Sequence, residues 1–158
     1  MLPGLRRETV VTTEGQSADA LPFESIVEQA PDPLIFADLE GQIRIWNAAA
    51  AQLFGHSKDE ALGQSLELII PERFREQHWT GFNRALADGD TKYRGEILTT
   101  RSAHKDGTTM YLELAFAILK SPEGKVLGAL AQARDATERF ERERAARQAA
   151  QAQAPASS

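Results

Sequence analysis

Between Thr108 and Lys120 the chain reads TTMYLELAFAILK, and Met110, Leu112, Leu114, Phe116 and Ile118 recur at every second position. Side chains along a strand alternate between faces, so this period sets all five on one side of a long strand. Such a strand is stable only inside a sheet whose apolar face is covered by another layer. The stretch therefore commits the chain to an antiparallel sheet with one buried face.

The flanking sequence supplies the neighbours. Lys105-Asp106-Gly107 is a hairpin turn, and TKYRGEILTTRSA before it reads as the preceding strand. Ser121-Pro122-Glu123-Gly124 is the next turn, followed by KVLGALAQAR, a strand of small residues that lets another segment approach closely. Earlier, LIFADLEGQIRIWN reads as two strands around Glu40-Gly41, with Asn47 closing the hairpin.

Helical signals occupy the stretches between. FESIVEQA repeats Phe23, Ile26, Val27 and Ala30 at helical spacing and stops at Pro31 and Pro33. AAAAQLFG is a compact helix ending at Gly55, and Ser57 with Glu60 matches a capping box. Asp135 caps a last helix that runs to Pro155 with Phe140 as its only large apolar residue, so it is either solvated or a lever against a partner. The expected fold is α+β, a five-stranded antiparallel sheet with helices over one face and the terminal helices flanking it. The expected layout is an N-terminal arm over 1–20, too polar to order itself, one domain over 21–135, and a terminal helix with a disordered tail over 136–158.

Composition narrows function. The 158 residues suffice for one ordinary domain plus tails. A net charge of -5 leaves no electrostatic footprint for nucleic acid or anionic membrane, and no apolar run approaches the roughly 20 residues of a membrane span. No secretory h-region opens the chain, so a cytoplasmic location is expected. With no cysteine there are no disulfides, thiolate metal sites or covalent haem attachment, and His56, His78 and His104 are the remaining soft nitrogen ligands. No catalytic motif is visible, and an enzyme is not expected.

One histidine stands out. In PERFREQHWTGFNRALADG, from Pro71 to Gly89, Phe74, His78, Phe82 and Ala85 share a narrow arc of a helix, with Trp79 and Leu86 at its edge. His78 therefore faces the core. Two readings remain open on the residues alone: a core histidine bonded to a carbonyl, or a ligand to a group held in the core.

IRIWNAAAAQLFGHSKDEALG, RSAHKDGTTMYLELAF and ARDATE, in that order and spacing, together resemble a PAS domain over roughly Phe23 to Arg144. The resemblance implies sheet order 2-1-5-4-3, helices on one face around a small-molecule cavity, and dimerisation through the terminal helices. His78 resembles the proximal histidine of the haem-PAS domains of rhizobial oxygen-sensing kinases. Arg84, six residues on, matches their propionate-binding arginine, and Gly95, seventeen on, a glycine of their next strand. Their arginine for bound dioxygen is replaced here by Leu98, twenty residues after His78, which disfavours stable oxygen binding. CO-sensing haem-PAS regulators resemble the pattern too, and in them a methionine near Met110 is a displaceable ligand.

The resemblance thus implies b-type haem held noncovalently by His78, with Arg84, Leu98, Leu114, Phe116 and Met110 around it. Its signal would be a diatomic gas (CO, NO or O2) or redox state, passed through a homodimer or a downstream signalling protein. The alternative is a haem-free PAS domain acting in dimerisation, protein interaction or binding of another small ligand.

Overall fold

The computed structural model describes residues 21–153. The expected arm and the last residues of the expected tail lie outside them. The elements in chain order are α1 (Phe23–Glu28), β1 (Leu34–Ala37), β2 (Ile43–Trp46), α2 (Ala48–Phe54), α3 (Lys58–Ala61), α4 (Arg75–Asp88), β3 (Leu98–Ala103), β4 (Thr109–Lys120), β5 (Val126–Asp135) and α5 (Thr137–Gln153). The strands form one antiparallel sheet in the order β2-β1-β5-β4-β3. Both the fold class and the strand order are as the sequence led us to expect.

The local causes are visible. Ser57 and Glu60 close a capping box on α3, and Gly55 ends α2 in the left-handed conformation. Asn47 does more than close the hairpin. Its side-chain oxygen accepts from the backbone N–H of Leu34 and Ala50, and its amide donates to the carbonyls of Val27 and Asp32. One buried side chain therefore caps α2 and ties the end of α1 to β1. The close approach allowed by the small residues of β5 is to β1: a side chain at Gly128, whose φ is 154°, would collide with the Ala37 carbonyl and the Phe36 ring.

Ile35, Ile43, Trp46, Ala50, Phe54, Ala61, Ile69, Met110, Leu112 and Ala133 form the buried core between the sheet and the helical segment. Leu114 borders that cluster, and farther along the same face Phe116 and Ile118 are half-buried. The alternating face of β4 is thus sealed at its Met110 end and only partly covered beyond it.

Two expectations are corrected. The strand expected from Thr91 starts only at Leu98, because Arg94 N–H bonds back to Thr91, Glu96 N–H to Tyr93, and Gly95 adopts φ 74°. These turns exclude an extended chain, so Gly95 precedes the strand rather than lying in it. The helix expected from Pro71 begins as a 3-10 turn over Glu72–Phe74, and α4 proper starts at Arg75.

The terminal helix α5 flanks the sheet, as expected. α5 leaves the end of β5, where the Thr137 N–H bonds the Asp135 carboxylate. Phe140 then stacks on Tyr111 with ring centroids 5.0 Å apart and planes 2° from parallel. Tyr111 alternates with Met110 and Leu112, so α5 docks on the outer face of the sheet. Arg139 adds an ion pair to the outward Glu113 at 2.6 Å.

Candidate functional site around His78

α4 is fixed in rotation by its first turn. The Arg75 guanidinium donates to the carbonyls of Ile70 and Glu67 and pairs with the Glu67 carboxylate at 3.4 Å. The Trp79 indole N–H donates to the same carboxylate at 2.7 Å. The far edge of that indole occupies the space over Gly41, where any side chain would collide with it. Two long-range contacts therefore hold the helix with His78 and the buried Phe82 on its inner side.

His78 is half-buried and packs in an aromatic cluster. Its ring stacks on Phe82 at 5.8 Å between centroids, and Trp79 meets it edge-on at 4.9 Å. Its Nδ1 is buried and has no hydrogen-bond partner, alone in this among the buried side-chain nitrogen and oxygen atoms of the described residues. No carbonyl receives it, so the core-histidine reading lacks the bond it requires. Burial lowers the imidazole pKa below its ordinary value, against a smaller upward pull from the Glu67 carboxylate. The ring is therefore held neutral, the form that ligates a metal.

The other residues singled out from sequence divide into groups. Leu98 and Leu114 are brought together, since they are register partners on β3 and β4 and therefore share a face. Phe116 stands two residues farther along that face, with Tyr93 at 6.4 Å. All three are half-buried. Met110 is not with them: it is buried in the core cluster, opposite Ser102. Arg84 is exposed on α4 and makes no ion pair among the described residues.

Sequence reasoning missed Glu67, Arg75 and Gly41. Their roles depend on contacts between separate elements, and only the left-handed Gly41 left a trace, as a turn residue. No group of three or more His, Asp or Glu side chains that could hold a metal ion occurs among the described residues. A metal at His78 would therefore have to bring most of its own ligands, as a porphyrin does. A neutral imidazole with an orphaned nitrogen, a partly open apolar wall and a free guanidinium two turns along the helix fit haem in that respect.

The described residues thus form a five-stranded sheet in the order β2-β1-β5-β4-β3, with α4 carrying an imidazole whose buried Nδ1 has no partner. Residues 27–141 match the PAS fold family, and the chain belongs to it. Two of its relatives are named as sensors. It is similar to the sensor protein FixL of Bradyrhizobium diazoefficiens, 32% identical over 99 residues, which cover 63% of this chain and 20% of that protein. It is also similar to the oxygen sensor protein DosP of Escherichia coli K12, 26% identical over 127 residues, 80% of this chain and 16% of that protein. The chain thus spans a fifth or less of the length of these relatives. In structure it resembles the PAS domain of a protein from Colwellia psychrerythraea, with a TM-score of 0.62 and 24% identity, covering 73% of this chain and 95% of that one. An RNA-binding Light-Oxygen-Voltage receptor also has a TM-score of 0.62, at 20% identity, covering 89% of this chain and 41% of that one. Both likenesses show the fold.

Proposed function

We propose that this PAS domain binds b-type haem noncovalently with His78 as the residue that would ligate its iron, and that it reports a diatomic gas or redox state. The observation that carries the reading is the orphaned, neutral imidazole in an aromatic stripe. The similarity to FixL and DosP, named as sensors, supports it.

When bound, haem would supply an iron centre able to take a diatomic gas or to change oxidation state. The chain's own residues do the rest. His78 donates its lone pair, the exposed Arg84 offers a guanidinium to a propionate, and Leu98, Leu114 and Phe116 exclude water. Those three side chains give a bound diatomic no hydrogen bond, so CO should be retained better than dioxygen. The role is binding rather than catalysis, with the response passed through a second copy or a downstream protein.

Reconstitution of the purified chain with haem tests this. A Soret band that disappears in His78→Ala is expected, and a flat visible spectrum for the parent overturns the haem reading in favour of a haem-free interaction module. The ferrous spectrum of Met110→Leu then separates two roles. A spectrum that differs from the parent's would assign the thioether as a further ligand to the iron, and a spectrum like the parent's would leave Met110 as core packing.

A further inference from the structure

On the outer face of the sheet, away from His78, α5 and the β3–β4 edge enclose a cleft of about 410 Å³ lined by Arg101, Tyr111, Phe140, Glu141, Arg144 and Arg147. Three guanidinium groups meet there around one carboxylate, in a chain whose net charge is -5. Eight other Lys and Arg side chains of the described residues, Arg139 and Arg142 of the same helix included, are paired with carboxylates. Arg101, Arg144 and Arg147 are not among them. Their bonding is otherwise slight: Arg147 donates one N–H to the Glu143 carbonyl, and Arg101 lies over the Tyr111 ring at 5.4 Å. Most of their donors are left to an anion from outside.

We propose that this cleft docks an acidic helix of a partner protein. The spacing favours a peptide. Arg144 and Arg147 stand one turn apart on α5, a rise of about 4.5 Å, which matches carboxylates three or four residues apart on a helix laid alongside. Arg101, from β3, supplies a third donor off that line and fixes the partner's position across the cleft. The chemistry disfavours a nucleotide. Tyr111 and Phe140 stack on each other, and the Arg101 and Arg139 guanidiniums lie 5.4 and 5.8 Å from their ring centroids, so both rings already have partners where a base would stack. Only the edges of the ring pair remain, enough for an aliphatic side chain beside the carboxylates. Beyond Phe140, α5 is fully exposed and carries no leucine stripe, so a partner along it is read by charge. The reading is independent of haem.

The test uses the full chain and a synthetic helical peptide with glutamates at i and i+4 and a leucine between them. A second peptide carries glutamine in place of glutamate, and inorganic pyrophosphate serves as a small-anion control. The glutamate peptide is expected to bind, to weaken as salt rises, and to shift the amide signals of α5 and β3. Combined Arg101→Ala, Arg144→Ala and Arg147→Ala should weaken it by about tenfold or more. These side chains are exposed, so the variant keeps the parent's circular dichroism. Combined Arg144→Glu and Arg147→Glu should transfer binding to a lysine version of the peptide. The proposal is overturned if the triple variant or the glutamine peptide binds as well as the pair it replaces. It is equally overturned if pyrophosphate displaces the peptide from α5, which would make this a small-anion site. Loss of self-association in the triple variant would also overturn it, by assigning the cleft to a second copy.

Discussion

At the scale of single residues, the side chains that matter most are those with polar atoms in the interior. Asn47 is 1% exposed and serves two backbone donors and at least two carbonyls from three segments. Its replacement by alanine leaves those groups unpaired and should cost about 3 kcal/mol, read from urea denaturation. His78 and His56 are both held below the ordinary imidazole value of 6.5, chiefly by burial, with Lys105 adding to the effect at His56. The unfolded chain then binds more protons than the folded one once pH falls below about 6.5, so stability declines as pH drops through that value. The carboxylates of Glu60 and Asp106 are held down to about 2, by the Lys105 ammonium and Ser57 at Glu60 and by Thr108 at Asp106. Their contribution is present above the ordinary values of 4.5 and 3.8 and is lost as pH falls through about 2. Melting temperature should therefore fall in two stages on acidification. His78→Gln should shrink the first stage and leave the second, and superimposable profiles would show that His78 does not titrate as its burial implies.

Among the elements, β4 runs from a sealed part of the interior into a partly covered one. Leu112 is 1% exposed in the core, whereas Leu114, one alternation on, borders it. Leu114→Arg would bring a charge without a partner onto that inner face and should destabilise the fold by several kcal/mol. A thermal melt like the parent's would show that the face admits water freely. α5 is the element whose placement the sequence left undecided between solvent and a partner. Its lone phenylalanine has a partner within the domain, because Tyr111 faces outward one residue from Met110. The docked first turns and the exposed remainder give one helix two different environments.

At the scale of the whole molecule, three of the seven exposed large apolar side chains among the described residues lie on or just before α1. Leu21, Phe23 and Ile26 are 66%, 67% and 56% exposed, and Phe23 with Val27 borders a groove that reaches Ile45 and Trp46 on β2. This apolar area motivates one prediction, a homodimer built on α1. Light scattering of the chain lacking residues 1–30 should report a monomer; a persistent dimer would move the interface elsewhere.

The sequence alone determined the elements and their order, since strand alternation, the capping box, the Gly55 stop and the arc shared by His78 and Phe82 are set by residues within a few positions of one another. Even there, short-range bonds decided one boundary against the pattern, when the turns around Thr91 and Gly95 delayed β3. The site was legible as a histidine in an apolar stripe and as an alternating wall, but its geometry was not. The rotation of α4 rests on Arg75 and Trp79 meeting Glu67 and on an indole fitting over Gly41, thirty-eight positions earlier in the chain. The docking of α5 and the convergence of Arg101 with Arg144 and Arg147 depend in the same way on strand register and on which sheet face a helix meets. Local propensity carries no information about such pairings; they are decided when distant segments bury their apolar faces together and each polar group must find whatever partner the packing brings within reach.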